Sequence, residues 1–121
     1  MRTAIVTGAG TGIGAAAARR LGASGWNVVL VGRREGLLQD VAGTLPAGQS
    51  IVLACDLSDP ASPEMIVRRC LDGFGGVDAL VNNAATIRVM PVEQYPLAVL
   101  DDHWAVNIRA PFLLIQAAVP A

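Results

Sequence analysis

The chain has 121 residues, of which 53% are hydrophobic and 16% are charged, and its formal net charge at pH 7 is -1. This length suits a single domain with one hydrophobic core, and the apolar composition excludes an intrinsically disordered chain. A near-zero net charge without a basic cluster argues against a nucleic-acid partner.

Apolar, β-branched runs alternate with helical patterns along the whole chain. The runs predict four buried strands, at residues 3–7, 26–32, 50–56 and 77–83. The intervening patterns predict helices at residues 13–24, 34–45 and 58–75, and a longer helix that begins near Leu97 and continues to the end of the chain. At the start of the third helix we expect Asp59 or Ser62 to cap the free amides, since a proline follows each directly.

This alternation predicts an α/β fold, in which a parallel sheet is wound by right-handed crossovers with helices on both faces. In a doubly wound arrangement the four strands take the order 3-2-1-4. The strands are short and lack alternating polarity, which disfavours an antiparallel sandwich.

The sequence also argues against secretion, membrane insertion and a metal site. Glycines at positions 8, 10, 12 and 14 interrupt the apolar core that a signal peptide would need after Arg2. No apolar run reaches the ~18 residues of a membrane span, so we expect no membrane partner. Cys55 and Cys70 match no zinc spacing and no CxxC motif, and we interpret them as reduced thiols of a cytoplasmic protein.

The stretch TGAGTGIG, which follows the first predicted strand, predicts a phosphate-binding loop. Gly8 would make the sharp turn, Gly12 would allow close approach of a pyrophosphate, and Gly14 would let helix and strand pack. The amides and dipole at a helix N-terminus favour an anion there. A glycine-rich loop alone is weak evidence and also fits a flexible surface turn, but its position between strand and helix favours the phosphate loop.

Four motifs together carry a family resemblance. They are the TGxxxGIG loop that begins at Thr7, the pair Asp56 and Leu57, the tetrapeptide NNAA from Asn82, and AVNIRAPFLL, which contains Asn107. In this order and spacing they resemble the short-chain dehydrogenase/reductase family over the whole chain. The resemblance implies a Rossmann-type fold, a nicotinamide cofactor, and redox chemistry on a small-molecule carbonyl or alcohol.

The same resemblance assigns expected roles to particular residues. It implies that one residue, Asn107, belongs to the family's catalytic tetrad. It implies that the cofactor is bound by Thr7, Gly8, Gly12, Ile13, Gly14, Asp56, Leu57, Asn83 and Ala84. Of Asn82 and Asn83, one is expected to bind cofactor while the other ties neighbouring strands.

The end of the second predicted strand favours NADP over NAD. An acidic residue there would bind the adenosine 2′-hydroxyl, but the position holds Gly32, and Arg33 and Arg34 follow at once. Guanidinium groups pair well with a phosphate. The alternative is that both arginines are merely solvated, yet cations at a helix N-terminus oppose its dipole, so a ligand explains them better.

The catalytic acid expected in this family is missing. The family uses a serine and a tyrosine, with a lysine four residues after the tyrosine. Here the one tyrosine, Tyr95, precedes Asn107 and has Val99 four residues on, and the chain contains no lysine. We therefore expect residues 1–121 to form an NAD(P)-binding domain that is incomplete at its C-terminus, and to catalyse no hydride transfer. The alternative is a non-catalytic dinucleotide-binding or interaction module.

Two further expectations concern the last predicted helix. The lone histidine, His103, has no triad-like or metal-like partner spacing, and we interpret it as surface or helix-start polarity. Apolar residues lie on more than one face of this helix, which predicts a homo-oligomer or self-association.

Overall fold

The computed structural model describes all residues, Met1–Ala121. The strands are β1 (Thr3–Thr7), β2 (Asn27–Gly32), β3 (Ser50–Ala54) and β4 (Ala79–Val81). The α-helices are α1 (Gly12–Ala23), α2 (Glu35–Ala42), α3 (Ser62–Phe74), α4 (Leu97–Trp104) and α5 (Ala110–Ala118). A π-helical turn (Ala105–Arg109) joins α4 to α5, and a 3-10 turn (Val92–Gln94) precedes α4.

The four strands form one parallel sheet in the order β3-β2-β1-β4, which confirms the predicted topology. Ile5 of β1 pairs with Val29 of β2 on one side and with Leu80 of β4 on the other. Each strand is separated from the next in sequence by at least one helix, as a parallel connection requires. The architecture is that of a Rossmann-type doubly wound sheet.

Two apolar clusters, one on each face of the sheet, form the core. Alternate side chains of a strand point to opposite faces, so Ile5 and Val29 join the cluster that contains residues of α3 and α5. Their neighbours Val6 and Val28 join the second cluster, which contains residues of α1 and α2. Both faces of β1 are therefore covered, which explains why its sequence is a continuous apolar run.

The strand and helix bounds differ from the predicted ones at both ends, since α3 begins only at Ser62 and β4 only at Ala79. Strand β4 has only three residues, because the chain turns after Val81 so that Asn83 bonds back to β1. Strand β3 ends at Ala54, and α2 ends at Ala42. The predicted Ser62 cap is wrong, since Ser62 is the first residue of α3 and its hydroxyl donates to the Asp56 carbonyl. Asp59 instead accepts from the amide of Ala61, just before the helix.

The helix predicted from Leu97 is present as far as Ala118, but a π-helical turn interrupts its regular winding. Pro111 follows this turn. Proline has no N–H to donate to the carbonyl four residues earlier, and its ring collides with that carbonyl in a regular α-helix. Here that carbonyl belongs to Asn107, so the wider turn over Ala105–Arg109 accommodates the ring.

The edge formed by β4 is less covered than the centre of the sheet. All residues of β1 are buried, whereas all three of β4 are half-buried and pair with β1 alone. No helix in the structure has both the length and the apolar character needed to cross a bilayer.

Candidate functional site

A cleft of about 380 Å³ lies where the strands of the sheet end, which is where parallel α/β sheets generally bind ligands. The loop after every strand contributes to its walls, and Asp102 and Val106 close it from the long helix. The predicted site residues that line it are Gly8, Gly12, Ile13, Arg33, Arg34, Asp56, Leu57, Asn83 and Ala84. Thr7 and Gly14 are buried next to this set, and Asn107 does not line the cleft.

The loop after β1 requires glycine at two positions for conformation and at a third for space. Gly8 and Gly12 have φ angles of 63° and 54°, in the left-handed region that L side chains rarely adopt. A Cβ on Gly14 would overlap the Gly8 carbonyl and the Asn83 side chain, whereas a Cβ on Gly12 would meet nothing within 4 Å. Gly14 therefore allows the helix to pack on the strand, and Gly12 leaves its side of the loop open.

The N-terminus of α1 carries free hydrogen-bond donors beside the cleft. Its cap residue, Thr11, makes no side-chain cap bond, and no acidic residue lies in the first turn. The first bond of the helix is donated by Ala15 to the Thr11 carbonyl, so the amides of Gly12 and Ile13 have no acceptor in the protein. A helix N-terminus left in this state is suited to bind an anion.

Thr7 and Asn83 tie the ends of β1 and β4 together under the loop. The Thr7 hydroxyl accepts from the amides of Asn83 and Ala84, at 3.1 and 2.9 Å, and donates to the Val81 carbonyl at 3.4 Å. The Asn83 side-chain amide donates to the carbonyls of Thr7 and Gly8. Asn83 is thus the asparagine that ties neighbouring strands, and Thr7 contributes to the site by holding the loop in place.

Arg33 and Arg34 form the wall beyond β2, and both are exposed. Neither guanidinium makes a hydrogen bond or an ion pair. The only ion pair in the structure joins Arg68 to Glu64. Arg34 is also the cap residue of α2, which has no side-chain cap bond. Two cations that oppose the dipole of α2 and form no ion pair leave guanidinium donors free at this end of the cleft.

Asp56 and Leu57 follow β3 and differ in what they can contact. The pKa of the Asp56 carboxyl is lowered, chiefly by the hydrogen bond from the Ser58 amide (2.9 Å) and less by the Arg33 charge, so the group is a carboxylate at neutral pH. Leu57 is buried and belongs to the core cluster of α3 and α5. The preceding residue, Cys55, was predicted only as a reduced thiol, yet it also lines the cleft. Burial raises the pKa of its thiol.

Asn107 lies in the π-helical turn and holds the chain that follows β4. Its Oδ1 accepts from the amide of Thr86, and its Nδ2 donates to the carbonyl of Thr86, both at 2.8 Å. Thr86 lines the cleft, so Asn107 acts on the site through the backbone of this residue. A proline at position 111, inside a helical pattern, is the sequence signal that would have indicated an irregular turn here.

His103, interpreted from the sequence as surface or helix-start polarity, lies in the last turn of α4. Its ring is half-buried and contacts three groups: the Val99 carbonyl at 2.7 Å, the Arg88 amide at 3.0 Å and the Tyr95 hydroxyl at 3.2 Å. The Tyr95 hydroxyl donates to the Arg88 carbonyl at 3.0 Å. Tyr95 is thus engaged with the backbone, and no spacing rule in the sequence pointed to this pairing.

Comparison with known proteins agrees with this fold and cleft. The family model described as short chain dehydrogenase matches residues 2–121. An uncharacterized oxidoreductase of Staphylococcus aureus (strain MW2) is 34% identical over 119 residues, which cover 98% of this chain and 52% of that protein. The chain therefore belongs to the short-chain dehydrogenase/reductase family of oxidoreductases, and it spans about half the length of the curated relatives it matches.

Two solved structures illustrate the similarity. A metagenomic short-chain oxidoreductase in complex with NADP is 39% identical, with a TM-score of 0.91 over 98% of this chain and 55% of that chain. L-Sorbose reductase from Gluconobacter frateurii, complexed with NADPH and L-sorbose, is 29% identical, with a TM-score of 0.91 over 98% of this chain and 46% of that chain.

Proposed function

We propose that the chain is the cofactor-binding part of an NADP(H)-dependent oxidoreductase that acts on a carbonyl or alcohol group of a small molecule. One observation carries the proposal. The free amides at the start of α1 and the guanidinium groups of Arg33 and Arg34 line the same cleft, and neither set forms an ion pair or a hydrogen bond with a protein carboxylate. A dinucleotide with a 2′-phosphate has anionic groups for both places.

The donors and the open space of the cleft fit such a ligand. The amides of Gly12 and Ile13 would hold the pyrophosphate, and the absence of a Cβ at Gly12 leaves room for it. Arg33 and Arg34 would bind the 2′-phosphate, and Asp56 and Leu57 would lie at the adenine. The nicotinamide ring supplies the hydride when bound, and this chain contributes binding and orientation.

The relatives support the choice of cofactor. The metagenomic oxidoreductase and L-sorbose reductase were solved with NADP and NADPH respectively. In the present chain, Gly32 ends β2 and no acidic side chain takes the place where one would repel a 2′-phosphate. NADP is therefore preferred over NAD.

Fluorescence titration of the chain with NADPH and with NADH tests this proposal. NADPH is expected to bind at least ten times more tightly at low ionic strength, and the preference is expected to shrink as salt screens the arginines. Equal affinity for the two cofactors, or a preference for NADH, would show that the arginines do not bind the 2′-phosphate.

We further propose that residues 1–121 are one incomplete NAD(P)-binding domain and that this chain alone transfers no hydride. The outer edge of β4 is unpaired. The Tyr95 hydroxyl donates a hydrogen bond to the Arg88 carbonyl, so it is not a free acid that faces the cleft. The chain has no lysine to activate a tyrosine. General acid–base help is worth about 10²–10⁴-fold, and no residue here supplies it.

Oxidation of NADPH with a panel of ketones and aldehydes checks this expectation, with Tyr95→Phe as the comparison. No turnover above the protein-free rate is expected for either form. Turnover that disappears in Tyr95→Phe would make Tyr95 the catalytic acid. Turnover that survives in it would require an acid elsewhere in the chain.

A non-catalytic dinucleotide-binding or interaction module remains the second candidate. The cleft alone would serve it, because the cleft residues proposed above are assigned to cofactor binding and none of them to proton transfer. The DNA downstream of codon 121 separates the two candidates. An open frame with a serine and a Tyr-x-x-x-Lys motif supports the enzyme, and a stop codon supports the module.

Self-association and a cytoplasmic location complete the proposal. Large apolar side chains recur at intervals of three or four residues and remain at least half exposed along the long helix, at Leu97, Leu100, Trp104, Ile108, Phe112 and Ile115. Such a stripe favours a helix or subunit packed against it, as in a homo-oligomer. The two free thiols, Cys55 and Cys70, suit a reducing compartment.

A further inference from the structure

The segment at residues 84–90, called here the cleft segment, has no regular secondary structure, and its first three residues line the cleft. Two of its residues, Thr86 and Arg88, have both backbone polar groups bonded to side chains. Asn107 bonds the amide and carbonyl of Thr86, His103 accepts from the amide of Arg88, and Tyr95 donates to the carbonyl of Arg88. These side chains therefore bond backbone groups that, in a sheet, a neighbouring strand would bond.

The partners of His103 determine which nitrogen of the ring carries the proton. The Val99 carbonyl can only accept, so Nδ1 must be protonated to make the 2.7 Å contact. The Arg88 amide can only donate, so Nε2 must present its lone pair across 3.0 Å. Both bonds exist together only in the neutral ring with its proton on Nδ1.

We propose that neutral His103, with Tyr95, is a positioning residue that holds the cleft segment against the long helix, and that dinucleotide binding weakens when His103 is protonated or its acceptor is removed. The inference rests on the proposed function for its second part. His103 contacts Arg88, two residues beyond Thr86 in the cleft wall, so it acts on the ligand through the backbone and not by contact.

Protonation would exchange one partner of His103 for another. A proton on Nε2 would face the Arg88 N–H and break that bond, and it would then point to the Tyr95 oxygen 3.2 Å away. The charged residues nearest along the chain and on the held segment are Asp101 and Asp102 on α4, Glu93 in the 3-10 turn, and Arg88. None of them forms an ion pair with the ring.

The first test needs no ligand and uses the unmodified chain. The sequence contains one histidine and one tyrosine, so their NMR signals are assigned without ambiguity. Long-range ¹H–¹⁵N spectra at pH 7.5 are expected to show the Nδ1–H tautomer, and the Arg88 amide shift is expected to follow the titration of the ring. An Nε2–H tautomer, or an Arg88 amide that ignores the titration, overturns the proposal whether or not a dinucleotide binds.

The second test measures NADPH affinity in variants of the two residues. His103→Phe keeps a ring but removes the acceptor, and Tyr95→Phe removes the hydroxyl. Each is expected to weaken binding about three- to tenfold at pH 7.5, as the loss of one hydrogen bond predicts. His103→Gln offers an amide oxygen to the Arg88 N–H without a titrating group. This variant is expected to bind NADPH as tightly as the wild type at pH 7.5. Unlike the wild type, it is expected to lose no affinity between pH 7.5 and 5.5.

Asp101→Asn is the matched control, since Asp101 is exposed on the same helix and does not line the cleft. It is expected to keep the wild-type affinity and pH profile. Unchanged affinity in both phenylalanine variants, or a His103→Gln profile identical to that of the wild type, overturns the positioning role. Failure of NADPH to bind even the wild type contradicts the proposed function instead, and the tautomer measurement still decides the role of His103.

Discussion

The cleft has two walls that reach their shape by different means. The wall after β1, residues 8–14, contains glycines in left-handed conformations and makes few side-chain bonds of its own. The other wall, the cleft segment, has no residue with a positive φ and is held by Asn107, His103 and Tyr95 from outside it. The wall after β1, called here the glycine wall, takes its shape because its glycines have no side chains. The cleft segment takes its shape from hydrogen bonds made by residues distant in the sequence.

This difference determines which changes each wall tolerates. A glycine in a left-handed turn, or one without room for a Cβ, admits almost no substitution. A backbone amide held by a side chain can be held by another side chain with an acceptor at the same place. Single substitutions in the glycine wall should therefore cause large losses of stability and NADPH affinity, whereas substitutions that affect the cleft segment should cause smaller losses.

The largest effect is expected for Gly14→Ala, which puts a methyl group against the Gly8 carbonyl and the Asn83 side chain. Because the obstacle is backbone, we expect a loss of about 3 kcal/mol or more in the free energy of unfolding, and loss of NADPH binding. Urea denaturation measures the first quantity. Gly36→Ala is the matched control, since Gly36 is also helical but meets nothing within 4 Å, and it should gain about 0.5–1 kcal/mol. Equal stability of the two variants would contradict the assigned role of Gly14.

The next largest effect is expected at the end of the cleft that Arg33 and Arg34 form. Replacing both Arg33 and Arg34 by alanine should weaken NADPH binding by about 1.5–3 kcal/mol, the worth of a charged hydrogen bond, and leave NADH binding nearly unchanged. Fluorescence titration with each cofactor measures this. The control replaces Arg19 and Arg20, which change the net charge equally but do not line the cleft. An equal loss for both cofactors would argue that the arginines do not distinguish them.

A smaller effect is expected on the outer face of the helix that supports the cleft segment. Trp104 and Phe112 are 57% and 63% exposed, and we expect the wild-type chain to self-associate through them. Trp104→Gln with Phe112→Gln should weaken association about tenfold, or 1.4 kcal/mol, without affecting NADPH binding. Sedimentation at several concentrations measures this. The pair Val89→Gln and Val92→Gln removes comparably exposed side chains away from the stripe and serves as the control. A monomeric wild-type chain at high concentration would refute the expectation.

The smallest effect is expected for Asp56→Asn. The pKa of Asp56 is lowered in the folded state, so its carboxylate adds stability that is present above the ordinary carboxyl range and is lost as pH falls from about 4 toward the lowered value. Wild-type stability should therefore fall slightly more than that of Asp56→Asn between pH 5 and pH 3 in urea denaturation. Asp40→Asn, at an exposed aspartate of α2, controls for the change in net charge. A parallel fall in wild type and Asp56→Asn would show that the Ser58 bond contributes nothing.

Most of the fold and the glycine wall could be predicted because their signals are local. The apolar run of β1 and the following glycines act within about a dozen residues, and the alternation of elements leaves few topologies for a parallel sheet. The short length of β4 could not be predicted in this way. It depends on bonds between Asn83 and Thr7, which lie 76 residues apart in the chain.

The sequence by itself therefore determined the sheet order, the loop after β1, and the two arginines that follow β2, since each follows from residue type, period or spacing. Only the tertiary structure decided that Asn107 and His103 hold residues 21 and 15 positions earlier, and that Tyr95 is engaged with Arg88. The physical reason is that a hydrogen bond needs two groups about 3 Å apart in a set orientation. Residue spacing fixes such geometry within one helix or strand, whereas the path of the connecting chain fixes it between them.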